Sequence, residues 1–198
     1  DERLLDRDRP PRSDDDVVLL AAPAMGGAER DACTAMLGRH DAASTRAVHV
    51  LYVESAMDRY RAVDARLAAH PAQTAIVAVG SGAGGERRPE PTAPNYYVER
   101  VGDPADLTGV GMALDEVLTA WADADVTLCF DSLSVLLQYA ETDRVFRFLH
   151  VLTSRLRELD VPAHFHVHPD AHDERTVAKL EQAVDGRVRA SGDHVPGR

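Results

Sequence analysis

Short apolar runs alternate with helix-patterned stretches along most of the chain. Residues 17–22 (VVLLAA) are continuously apolar and stop at Pro23, the pattern of a strand buried on both faces. Residues 28–39 are helical in composition and end near Gly38. A second strand is predicted over 48–53 (VHVLYV), followed by a helix through Arg66 and Leu67, and a third over 74–79 (TAIVAV). The glycine- and proline-rich segment 80–94 reads as a flexible loop. Residues 96–101 (YYVERV) then form a short strand, and Asp106 caps a helix running to about Trp121.

The second half repeats the alternation. Residues 126–130 (VTLCF) are a buried strand leading through Asp131 and Ser132 into helical sequence. Val145, Leu149, Leu152, Leu156 and Leu159 recur at spacings of three and four, marking one apolar face of a helix that Pro162 breaks. Residues 163–167 (AHFHV) are the next strand and 176–184 a helix. Strands alternating with helices predict an α/β fold, a mostly parallel sheet with helices on both faces. One domain over 17–190 is expected, after a flexible polar lead-in (1–16) and before a short tail (191–198).

In an open parallel sheet, ligands bind at the carboxyl ends of the strands. The first of these exits is the informative one. A P-loop would read GxxxxGK[ST] there, with lysine reaching the phosphates and a hydroxyl holding Mg²⁺. This chain reads PAMGGAER over 23–30, with no lysine and no hydroxyl, and Glu29 adds negative charge where an anion would sit. Pro23, Gly26 and Gly27, with Ser132, are at most the vestige of a phosphate loop. Lys179, the one lysine in the chain, lies on a late helix. An ordinary P-loop hydrolase is excluded.

Other exits retain a nucleotide-binding outline. The strand ending in Asp131, then Ser132 and Leu133, has the form of a Walker B segment, although Asp-Ser after a strand is also a common helix N-cap. VHVLYV followed by Glu54 and Ser55 is similar to the strand that presents a water-activating glutamate. Residues 184–188 (VDGRV) look like a late helix-to-strand corner. With the order of elements, these make the chain resemble a RecA/KaiC-like domain over roughly 17–190. The stretches 129–152 and 164–173 look closest to an uncharacterised haloarchaeal group of KaiC-like proteins. The resemblance implies a RecA-like three-layer core and binding of ATP with Mg²⁺; the missing lysine departs from it.

The histidines form a second constellation. His164, His166 and His168 alternate and so share one face of a strand. His166-Val167-His168-Pro169-Asp170-Ala171-His172 misses the HxHxDH zinc motif of metallo-β-lactamase-like hydrolases by one residue. His166, His168, Asp170 and His172 are therefore the candidate metal set, but the displaced last histidine favours internal packing, and no metal is expected. Cys33 and Cys129 lie in apolar contexts without CxxC spacing and read as two buried thiols.

Composition narrows the partners. The chain has 198 residues and a formal net charge of -11, from 33 acidic and 22 basic residues. That balance repels phosphate backbones, so no nucleic acid is expected. Acidic, lysine-poor sequence fits a protein hydrated in concentrated salt, where a Debye length of roughly 3 Å or less screens self-repulsion. A GC-rich genome writing arginine for lysine gives the same bias. No apolar run reaches the roughly 18 residues of a membrane span, and residues 1–16 carry no signal-peptide core, so a cytoplasmic protein without membrane insertion is expected.

These features give a non-catalytic regulatory or interaction domain with a lost phosphate loop and no cofactor, acting through self-association or a protein partner. Phe146 and Phe148, off the main face of their helix, are candidate contacts. One alternative is a weak nucleotide binder or slow ATPase using Glu54, Asp131 and a borrowed cation. The other is a metal-dependent hydrolase built on residues 164–172.

Overall fold

The computed structural model describes residues 5–7, 17–23, 28–37, 44–52, 56, 58, 61, 71–80, 88–90 and 93–190. Its strands are β1 (Leu5–Arg7), β2 (Val17–Ala21), β3 (Arg46–Leu51), β4 (Gln73–Val79), β5 (Arg88–Glu90), β6 (Ala93–Val101), β7 (Val126–Asp131), β8 (Ala163–Val167) and β9 (Gly186–Ala190). They form one sheet in the order β1-β9-β2-β8-β7-β3-β4-β6-β5. The seven inner strands are parallel, and β1 and β5 close the edges antiparallel.

The helices are α1 (Ala28–Leu37), α2 (Leu107–Ala120), α3 (Leu133–Leu136), α4 (Thr142–Glu158) and α5 (Glu174–Glu181). Strand side chains alternate between faces, and the core divides accordingly. Val17, Leu19, Val50, Val77, Phe130 and Phe165 face a large cluster completed by Leu114, Leu136, Leu149 and Leu180, so α2 to α5 cover one face. Val18, Leu20, Cys129 and Val188 face Ala32, Cys33, Met36 and Leu37, so α1 covers part of the other. This is the three-layer α/β arrangement that the alternating pattern predicts.

Local chemistry accounts for several boundaries. Asp106 caps α2, its carboxylate accepting from Gly109 N at 2.9 Å. Asp173 caps α5 in the same way through Thr176 N. Gly80 ends β4 with φ of 78°, a left-handed conformation that glycine adopts without strain. At the corner over 184–188, Asp185 is tied to the first residue of β2 twice. Val17 N donates to its carboxylate at 3.0 Å, and Asp185 N donates to Val17 O at 2.8 Å.

Two expectations need correction at the sheet edges. Within the polar lead-in, Leu5–Arg7 pairs with β9. Within the segment read as a loop through Pro94, Arg88–Glu90 and the start of β6 form a ladder. In both places backbone pairing supplies a stabilisation that side-chain composition does not reveal.

Candidate functional site

The central feature lies under α1. β7 and β8 are neighbours with Cys129 opposite His164, and period-two alternation puts His166 on the same face. α1 lays Cys33, on its buried stripe, over this row. All four side chains are buried. Cys33 Sγ lies 3.4 Å from Cys129 Sγ and 3.2 Å from Nε2 of His164, and Cys129 Sγ lies 3.3 Å from Nε2 of His166. The two thiols are not joined as a disulfide. His49 extends the row, in register with Cys129 on β3 and fully buried.

Glu29, in the first turn of α1, completes the arrangement. Nδ1 of His166 donates to its Oε1 at 2.6 Å, and Nε2 of His168 lies 3.9 Å from the same oxygen. The group is electrostatically polarised. Burial alone would raise the Glu29 carboxyl, but the hydrogen bond and charge of His166, with that of His168, hold it below its ordinary value. Burial alone would lower His166, but hydrogen bonds with Cys33 and Glu29 and the charges of Cys33 and Asp131 raise it to about 10. The hydrogen bond with Cys129 and the imidazoles of His164 and His166 hold the Cys33 thiol well below the usual range, against its burial.

Of the predicted site residues that the structure describes, Asp131, Ser132 and the histidines lie around this cluster. Asp131 ends β7, its carboxylate within 4.8 Å of the ligand atoms of Glu29 and His166. The helix cap at this exit is Ser132, not Asp131: Ser132 Oγ accepts from Val135 N at 3.3 Å. Pro23 is exposed just beyond β2. Gly26, Gly27 and Glu54 lie outside the described residues.

The set His166, His168, Asp170 and His172 does not converge. Nδ1 of His168 lies 3.2 Å from Ala22 O, and Nε2 of His172 lies 2.8 Å from Oγ of the buried Ser134 on α3. Burial and the charge of His168 hold His172 below its ordinary value. Asp170 is exposed on a short turn. Among the described residues, only two groups bring three or more possible ligands within 4.8 Å: Cys33, Cys129, His164 and His166; and Glu29, Asp131 and His166. Sequence reasoning found His164 and His166 on one face and missed the two thiols beside them. The available signal was Cys129 inside an apolar strand and Cys33 on the apolar stripe of the first helix.

A groove of about 740 Å³ runs between α2 and α4 on the opposite face. Its floor includes Phe148 and Leu152, and its rim carries Arg144, Arg147 and Arg155. Met112 and Val151 beside it are 70% and 71% exposed. Phe146 and Phe148 are only half-buried and pack against the core. No helix among the described residues is long and apolar enough to cross a membrane.

Together the fold and this cluster define a parallel α/β domain with thiols and imidazoles beneath its first helix and a carboxylate, not a lysine, at that helix's start. The chain belongs to a family of unknown function, DUF7504, whose model matches residues 16–190. A solved structure from Pyrococcus horikoshii OT3, described only as a structural study of a project target, is similar in fold. It has a TM-score of 0.59 and 11% identity, over 89% of this chain and 82% of that one. A comparison with curated proteins gives no match.

Proposed function

We propose that this chain is a non-catalytic interaction domain of the RecA/KaiC type, in which the corner that would cradle phosphates is given over to Glu29 and the cluster beneath it. The observation that carries this reading is the 2.6 Å hydrogen bond from His166 to Glu29. A helix N-terminus attracts anions through its free amides and dipole, and here the first turn already holds the carboxylates of Glu29 and Asp31. Lys179 is no substitute for the absent lysine. It lies on α5, across the sheet from α1, and is bound to Asp143.

The partner surface proposed is the α2–α4 groove, and the occupant a second copy of this chain. An apolar floor with an arginine rim is complementary to the acidic exterior of a protein of net charge -11. Phosphate release from Mg-ATP in molar KCl tests the non-catalytic part. No turnover is expected. Turnover that disappears in Glu54→Gln would restore the slow-ATPase alternative.

A further inference from the structure

Two thiols and two imidazoles from three different elements meet at one buried point, and their spacing is that of a coordination shell. Tetrahedral zinc, with bonds of about 2.3 Å to sulfur and about 2.0–2.1 Å to nitrogen, separates its ligands by about 3.8 Å between sulfurs and about 3.6 Å between sulfur and nitrogen. Here the sulfurs are 3.4 Å apart, and the two sulfur–nitrogen contacts are 3.2 and 3.3 Å. All four ligand atoms lie within 4.8 Å of one another. Opening the shell by a few tenths of an ångström needs only small side-chain rotations.

The geometry points to a structural zinc centre whose four ligands are Cys33, Cys129, His164 and His166. Both histidines turn Nε2 toward the sulfurs, the orientation a shared ion requires. Glu29 accepts from Nδ1 of His166, which fixes the ring and leaves Nε2 for the metal, as carboxylates commonly do behind zinc-bound histidines. Two thiolates and two imidazoles in tetrahedral array select zinc over harder cations. Four protein ligands in a closed interior leave no position for substrate, so the ion clamps α1 to β7 and β8 rather than performing chemistry. This differs from the hydrolase set His166, His168, Asp170 and His172, and it is independent of the reading of the phosphate corner.

The test is metal content of the full chain, purified with zinc and dialysed against metal-free buffer, followed by cobalt substitution. One zinc per chain is expected, and Co²⁺ should give intense tetrahedral d–d bands with thiolate-to-cobalt charge transfer. Cys33→Ser with Cys129→Ser should abolish both. Because that variant can fail to fold, Glu29→Gln provides a second reading. It keeps all four ligands and should weaken zinc binding about 10–100-fold. A dialysed wild-type chain without zinc, cobalt bands that persist in the cysteine variant, or a Cys33–Cys129 disulfide in place of metal would each overturn the assignment. So would a Glu29→Gln chain that binds zinc as tightly as wild type.

Discussion

Glu29 and His166 are 137 residues apart in sequence, yet the imidazole donates to the carboxylate at 2.6 Å across the gap between α1 and β8. One contact thereby links the start of the first helix to the centre of the sheet. It also makes the metal-free cluster a pH-sensitive element.

Stability of the chain in chelator should fall on both the alkaline and the acid side. His166 is raised from 6.5 to about 10, so its contribution is present below 6.5 and lost as pH rises through about 10. Cys33 is depressed from 9.0, so its contribution is present above 9.0 and lost as pH falls through the lowered value. Just below 9.0, where both titrate, the two slopes oppose each other. Above 9.0 Cys33 no longer offsets the loss of the His166 contribution, burial of the Tyr52 hydroxyl adds a loss of the same sign, and stability falls. On the acid side His172, lowered from 6.5, and Glu29, lowered from 4.5, join Cys33, each contributing stability that is lost as pH falls through its depressed value. Thermal melts across this range check the shape. A steady rise through pH 9 and 10 would contradict the His166–Cys33 pairing.

The cap of α2 gives a sharper mutational test. Asp106→Ala should cost about 1 kcal/mol, the usual loss when a side-chain cap is removed. Gly109→Ala should cost a similar amount for a linked reason: its Cβ would lie 2.3 Å from Oδ2 of Asp106 and displace the capping carboxylate. The double variant should then lose less than the sum, because the second change acts on a contact already broken. Urea melts of the three variants decide it, and strict additivity would show that the two residues act separately.

Phe130 should be the costly aromatic. It is fully buried, and its ring lies 5.8 Å from Tyr52, 6.2 Å from Phe148 and 5.6 Å from Phe165. Phe130→Ala should destabilise by about 3–5 kcal/mol, through lost transfer energy and the cavity left behind. Val151→Ala, on an exposed helix face, should stay within about 0.5 kcal/mol of wild type. Denaturant titration separates the two outcomes.

How much of this was legible follows from the range of each signal. β8 spans the residues its apolar run predicts, because Pro162 marks its start and the histidine alternation fixes its faces. Asp106 and Trp121 bound α2 as read, because capping is local. The cluster was not legible. Cys33 lies 96 residues from Cys129 and 131 from His164, and only strand order places them together. Motif spacing instead directed attention to His168, Asp170 and His172, which follow His166 in sequence but lie around α3 and the strand exit. The place of Glu29 in the first turn of the first helix is legible locally, but its bond to His166 requires the fold.

Self-association should rest on the α2–α4 groove, whose floor includes Phe148, and not on Phe146. Phe146 and Phe148 lie off the main stripe of α4, but both lean on the core. Phe146 is flanked by His150 and by the ammonium of Lys179, 5.5 Å above its ring. Met112 on α2 and Val151 on α4, each about 70% accessible, are the most exposed large apolar side chains among the described residues and lie on either side of the groove. Arg155 is already engaged, 3.0 Å from Asp115 and 3.6 Å from Glu158, which leaves Arg144 and Arg147 as the rim to meet an acidic surface. Molar salt screens both that local attraction and the net repulsion between two chains of charge -11, so the assembly should depend on the floor more than on the rim and loosen as the repulsion returns at low salt. Light scattering across a KCl series should show a dimer at high salt that loosens as salt falls. Met112→Asp with Val151→Asp should give a monomer throughout with an unchanged melting temperature, whereas Phe146→Ala should leave the dimer in place. A wild-type chain that is monomeric at every salt concentration, or a dimer indifferent to Met112 and Val151, would remove the groove as an interface.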